Sequence, residues 1–381
     1  MTVRLLKGLE FKEAMSLANL MFKREGRLPM EAAFPHIYSD VTSHSYGLFI
    51  DDRLVSFVGF VPTIVAIGDA RLNIYSVGSV CTHPDYVGQG FASKVLQSAI
   101  YHAEQAGASL ILVSGNRQIY TRAGCYPFGV FAQYRIDSES AAAIAVERGN
   151  DTRIRLMNET DLFAVHRLFE ERVVRFVSSV WDTAFLSLTV PVATARGYSH
   201  CVYVTEQQGK VDAFAVVALK SLDTEHEPFV VEYGGSPEGC AQLFAHVIEE
   251  HSLVTLKVVL PVQIERKLGA GLERSGAKWS EMGNSGTIRI VDAKRLLEQA
   301  SPYLRSKSEA DFESLRINRT DDHKHTIVTF KERRVMVTDS ELVSLLFDET
   351  PKLHDVDPVL IADLKKLFPL PFPYTGGLNY I

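Results

Sequence analysis

Tryptophan occurs twice and cysteine four times in 381 residues, and the sequence has neither long apolar runs nor a large excess of charge of one sign. Each scarcity excludes something. Cys81, Cys125, Cys201 and Cys240 are scattered, without the paired spacing of a zinc site or the density of a disulfide scaffold. They are expected to be reduced, buried thiols, and no metal centre is expected. No apolar window approaches the length that spans a bilayer, and MTVRLLKGLEFKEAM lacks the apolar centre and cleavage site of a signal peptide. The expectation is a cytoplasmic protein with no membrane partner. A net charge of −6 offers no basic footprint, so no nucleic-acid partner is expected.

What is present is the composition of a soluble globular chain, 46% hydrophobic and 23% charged, at a length that suggests two or three domains. The most informative stretch is Val80 to Ser93, VCTHPDYVGQGFAS. An alternating β-branched run from Leu72 leads into it, Pro84 ends that run, and helical periodicity starts at Phe91 after Gly88 and Gly90. Strand, glycine loop and helix start together make a seat for an anion. Glycines admit close backbone approach, and the first turn of a helix leaves its N–H groups unpaired. A P-loop would need Lys and Ser/Thr after the last glycine, and a dinucleotide fingerprint would sit in an early βαβ unit; neither fits.

The loop resembles the Q/R-x-x-G-x-G/A segment of the GCN5-related N-acetyltransferases (GNAT), carried here by Val87, Gly88, Gln89, Gly90, Phe91 and Ala92 after HPDY. Val87 departs from the pattern, standing where the family has Gln or Arg. A second match lies downstream: LILVS reads as a buried strand, and RQIYTRAGCYPFG resembles the family's FYxxxGF segment through Ile119-Tyr120 and Gly124-Cys125. The resemblance implies an acetyl-CoA cofactor with its diphosphate on Val87 to Ser93. The pantetheine arm would pair with the strand edge Val80, Cys81 and Thr82 and with Asn116, and Tyr120 would act as general acid. A phenol of pKa about 10 beside a thiol of about 8.5 can protonate a departing thiolate. Tyr126 is the alternate. After the amphipathic helix that begins at Glu10, expected to end near Arg24, the aromatic loop holding Phe34, His36 and Tyr38 occupies the place where the family builds its acceptor walls.

From about Arg153 the plan of strand, glycine turn and helix repeats, but FVVEYGGSPEGC carries Glu238 and lacks the G-x-G/A spacing. A negative side chain at a helix start competes with phosphate, so this unit reads as a copy without cofactor. After Gly286 the order of elements resembles the sterol-carrier-protein-like domain that closes Eis-like acetyltransferases, with the helix SELVSLLF capped by Asp339 or Ser340. Asp321-Asp322-His323-Lys324-His325 reads as a solvated hairpin turn and not a metal site. The tail LFPLPFPYTGGLNYI is apolar and turning, unlike a terminus that frays in water. The Eis-like resemblance implies that it enters the first domain's site, with Tyr380 against substrate and the Ile381 carboxylate as base.

The fold expected is α/β (α+β): two tandem GNAT-like domains, the second degenerate, then a sterol-carrier-protein-like α+β domain. The bounds are 1–137, 138–285 and 286–381. The function expected is acetyl transfer from acetyl-CoA to an amine of a small molecule, aminoglycoside- or polyamine-like, or to lysine. The alternative is a non-catalytic acyl-CoA or lipid-binding protein that keeps the fold. By the same resemblance the chain forms a homo-oligomer, a trimer or hexamer.

Overall fold

A computed structural model describes residues 1–23, 27–147, 151–219, 227–321, 324–354 and 356–381. Arg24, the expected end of the first helix, and Asp322 and His323 of the acidic-histidine turn lie outside them. The first unit begins with β1 (Thr2–Leu5), α1 (Glu10–Phe22) and a short α2 (Met30–Ala33). Then come β2 (Tyr46–Ile50), β3 (Arg53–Ile67), β4 (Ala70–Thr82), α3 (Phe91–Gln105), β5 (Leu110–Val113), α4 (Gln118–Arg122) and β6 (Val130–Asp137). The α3 span agrees with its periodicity, which buries Phe91, Val95, Leu96 and Ala99 on one face.

The second unit carries β7 (Thr152–Leu156), β8 (Val174–Phe176), β9 (Ser199–Gln207), β10 (Lys210–Leu219), β11 (Phe229–Gly235), β12 (Thr255–Leu260) and β13 (Lys278–Gly283). The last unit has β14 (Thr287–Ile290), β15 (Leu315–Arg319), β16 (Thr326–Phe330) and β17 (Arg333–Val337). Its helix Asp339–Phe347 is capped by Thr338, not by Asp339 or Ser340. Thr338 and Glu341 form a capping box, each side chain taking the other's backbone N–H.

Among the described residues the strands form three sheets, and chain order does not follow them. One sheet runs β1-β2-β3-β4-β5-β14 with β8 joined to β3, a second runs β13-β6-β12-β11-β10-β9-β7, and β15-β16-β17 form the third. β6, the close of residues 1–137, therefore lies between β12 and β13 of the second sheet. β14, from the segment 286–381, completes the first sheet by pairing antiparallel with β5, Thr287 opposite Val113 and Ile290 opposite Leu110. The second unit repeats the plan of strand, glycine turn and helix, with β11, the helix Pro237–Glu250 and β12 in that order. Ser236 caps the helix Pro237–Glu250 by accepting the Gly239 N–H at 3.0 Å, and the Asp212 carboxylate bonds that same serine. The Gly239 amide at this helix start thus has its partner within the chain.

The last unit shares one core with the first. Leu296, Leu304, Phe330, Leu346 and Phe368 pack with Val65, Leu72 and Leu110. This union carries the tail inward. Leu367, Phe368, Leu370 and Phe372 are buried, each worth roughly 1.5–3 kcal/mol relative to exposure. The Asn284 side chain then clamps the turn, donating to the Pro373 carbonyl at 3.1 Å and accepting the Thr375 N–H at 2.9 Å.

Candidate active site

The site follows from the way β4 and β5 part. They pair in parallel from Ile74–Leu110 to Val77–Val113, and Ser114 adds a last bond to the Val77 carbonyl at 3.2 Å. Beyond that point β4 pairs, among the described residues, only with β3. There Phe57 faces Cys81 and Gly59 faces Gly78, so Ser79 and Val80 together oppose the single Val58. Ser79 has a φ of 51°, a left-handed backbone at a bulge that bends β4 out of register. The edge from Gly78 to Thr82 is thus open toward Ser114, Gly115 and Asn116. A cavity of about 810 Å³ fills the divergence, with Ser79, Val80, Asn116, Arg117 and Tyr120 on its first-unit wall.

Tyr120 reaches the cavity because Gly115 gives it room: a Cβ there would stand 3.0 Å from the phenol ring. The residue is 8% exposed. Burial pushes its phenol up to about 12, with Arg117 pulling the other way. Tyr120 therefore holds its proton throughout the neutral range. Tyr126 packs elsewhere, in a backbone bridge with Ile288.

The tail arrives at the same place. Ile381 and Tyr380 line the cavity, the Tyr380 hydroxyl donates to the Ser114 carbonyl at 3.5 Å, and its ring lies 6.1 Å from that of Phe34. A Cβ on Gly78 would stand 2.6 Å from the terminal carbon of Ile381 and 2.8 Å from its oxygen. Glycine at 78 is what lets the terminal carboxyl group rest on the bulged strand. Nothing in the sequence singled out Gly78 or Ser79, since a bulge is a matter of register with β3 and leaves no local pattern.

The other expected residues divide. Phe34 lines this cavity and a neighbouring one of about 490 Å³, where His36 also lies. The His36 ring packs 5.2 Å from Phe185, and burial lowers its pKa, leaving it neutral. Tyr38 instead belongs to the core under α1 and α2, stacked on Phe57, with its hydroxyl buried and without a well-formed hydrogen bond. Cys81 is buried in that core too, and the Thr82 hydroxyl is bonded to Ser56 at 2.8 Å, so both offer only main-chain groups to the open edge. Burial pushes the thiols of Cys81 and Cys125 up to about 12 and about 11, which makes them inert as nucleophiles.

The glycine loop sits past the end of β4. Gly88 and Gly90 have φ of 85° and 75°, and open space surrounds the position of a Cβ at each. Side chains at either would be strained and would fill the approach to the α3 amides. Gln89 and Ser93 are exposed, Ala92 is half-buried and Phe91 is buried beneath the helix. The Val87 amide is an exception to the expected nest, because it donates to Pro84 at 3.4 Å. Its side chain is 64% exposed and offers no polar group. The next amides, together with the open β4 edge and the cavity, fit a diphosphate and an amide-bearing arm.

Residues 2–128 match the family model of the acetyltransferase (GNAT) domain. Among solved structures the chain resembles a GCN5-related N-acetyltransferase from Anabaena variabilis, at a TM-score of 0.67 and 12% identity over 98% of both chains. It also resembles Eis1 from Mycobacterium abscessus, at a TM-score of 0.64 and 11% identity over 99% of both. A probable N-acyltransferase from Enterococcus faecalis shares 15% identity at a TM-score of 0.62, over 88% of this chain and 84% of that one. No curated protein matches the sequence. The likeness extends over all three units, and the first is an N-acetyltransferase domain of the GNAT class. Among the described residues no helix is long and apolar enough to cross a membrane.

Proposed function

We propose that this N-acetyltransferase takes acetyl-CoA as donor and acetylates an amine of a small molecule or a lysine by direct attack, with Tyr120 as general acid and the Ile381 carboxylate as base. The observation that carries the reading is the convergence of the Tyr120 phenol and the chain's own terminus on one cavity, at the point where β4 leaves β5. Acetyl-CoA would supply the activated acetyl thioester. Backbone amides from Gly88 to Ser93 would hold its diphosphate, and the free edge of Val80 to Thr82, with Asn116 opposite, would align its arm. In the overall exchange a C–S bond breaks and a C–N bond forms, one proton leaves the amine and one reaches sulfur. The tail carboxylate takes the first, directly or through water; Tyr120 gives the second. Holding the reactants in register contributes much of the rate.

The last unit, read as sterol-carrier-protein-like, serves here as the scaffold that threads the tail. The division 1–137, 138–285 and 286–381 describes chain order, and the strand exchange ties the three into one body. A homo-oligomer belongs to the same reading and is checked by light scattering. Val87 gives the rival, a cofactor binder without turnover, its one specific support, since an apolar residue replaces a phosphate ligand there.

Coenzyme A release from acetyl-CoA over a broad amine panel separates the two readings: binding by calorimetry with no release on any amine would favour the binder. The pH profile is a second test. Tyr120 acts only while protonated, and its raised pKa of about 12 keeps it so. The rate should therefore climb through the pKa of the acceptor amine and then stay level, with no fall below about pH 11. A decline between pH 8 and 10 would count against Tyr120 as the acid. Gly78→Ala should displace the terminal carboxyl group and lower kcat at least tenfold with the melting temperature little changed; wild-type turnover in that variant would remove the carboxylate from the mechanism.

A further inference from the structure

The wall of the cavity opposite Tyr120 is cationic, and the charges on it are not matched. Four cations, Arg27, Arg117, Arg196 and Lys257, line the cavity against two acidic groups among the described lining residues, the Glu227 side chain and the terminal carboxylate of Ile381. Glu227 is already committed. Lys257 Nζ stands 2.6 Å from it, Arg135 Nε 3.5 Å, and the Thr255 hydroxyl donates to it at 3.0 Å. The two arginines are different. Arg27 donates to the Ala195 carbonyl at 2.8 Å, and the Arg196 guanidinium lies over the rings of Phe229 and Tyr380 at 5.7 and 6.0 Å. Neither forms an ion pair among the described residues. Both act on the Tyr198 phenol, which lies in the same wall.

A guanidinium left without an acid in a cavity is a receptor for a planar anion, and its fork matches a carboxylate or phosphate oxygen pair. A polycation would meet like charges on this wall. We infer that the acceptor amine carries an acidic group, which Arg27 and Arg196 hold while its amine faces the terminal carboxylate. This rests on the acetyltransferase reading and narrows it, away from aminoglycoside- or polyamine-like acceptors and toward amino acids or amino phosphates.

The test uses the full chain with acetyl-CoA and reads coenzyme A release on 6-aminohexanoate, its carboxamide, an aminoalkyl phosphonate, spermidine and an aminoglycoside. The acid is expected to exceed its carboxamide by about 10- to 100-fold in kcat/KM, the scale of a charge-assisted hydrogen bond. Arg196→Ala should bring that ratio close to one, and Arg196→Lys should keep part of it. The phosphonate arm tells a carboxylate site from a phosphate site, and preference for either anion supports the inference. Spermidine or the aminoglycoside outperforming both anions would overturn it. So would a ratio unchanged in a folded Arg27→Ala, Arg196→Ala double variant. Should no amine be turned over, the enzymatic reading fails by itself. The anion site is then judged by calorimetry with N-acetyl-6-aminohexanoate and its carboxamide: tighter binding of the acid, lost in the double variant, supports it, and equal binding overturns it.

Discussion

Tyr120→Phe is expected to lower kcat by about 10²- to 10⁴-fold, the range for a lost general acid, while leaving the affinity for acetyl-CoA and the melting temperature near their wild-type values. The substitution removes one oxygen. The ring keeps its place in the apolar cluster with Val77, Val113 and Cys125. kcat and kcat/KM should fall together, because the missing interaction is one made as the thiol departs. A phenol raised to about 12 is a weak acid toward sulfur, so its proton moves with C–S cleavage and not ahead of it. Tyr126→Phe is the matched control, since that residue packs against the Ile288 strand away from the cavity. Coenzyme A release and calorimetry measure both quantities; equal turnover in the two variants would end Tyr120's role.

The second large effect concerns the terminus. Removing Asn379 to Ile381, or appending residues after Ile381, should cost at least about 100-fold in kcat, because either change takes the terminal carboxylate away from Gly78. The fold should survive. The buried anchors Leu367, Phe368, Leu370 and Phe372 and the Asn284 clamp on Thr375 all precede the deletion. Ile381→Ala separates side chain from carboxylate: it keeps the reacting group and should lose far less than the truncation. Added formate or acetate should restore part of the truncated enzyme's rate by filling the vacated position. If the extended chain turned over at the wild-type rate, His36 would be the next base to examine, a neutral imidazole in the adjoining cavity.

Much of this was legible in the order of residues, and the reasons are local. Gly88, Gly90 and the periodic helix from Phe91 carry their conformations in their own chemistry, and the apolar tail could not rest in water. The α3 span and the repeat of strand, turn and helix in the second unit follow from pattern alone. What pattern could not supply was tertiary register. Ser79 takes a left-handed backbone because two residues must share one partner on β3, Gly78 matters because a residue three hundred positions away lies on it, and Arg196 faces the cavity through the short helix Pro191–Arg196 of another unit. Tyr38 was misjudged for a related reason: alternate residues of an irregular loop do not all face one way, and this one stacks on Phe57 inside.

The exchange of β6 for β14 sets a schedule for biosynthesis. During translation the outer edge of β5 has no neighbour until Thr287 to Ile290 leave the ribosome, on the order of ten seconds or more at ordinary elongation speeds. For that interval a short apolar strand, Leu110 to Val113, stays exposed to any other nascent strand. A chain stalled or terminated before Thr287 therefore leaves that strand bare however well the rest of its first unit has folded.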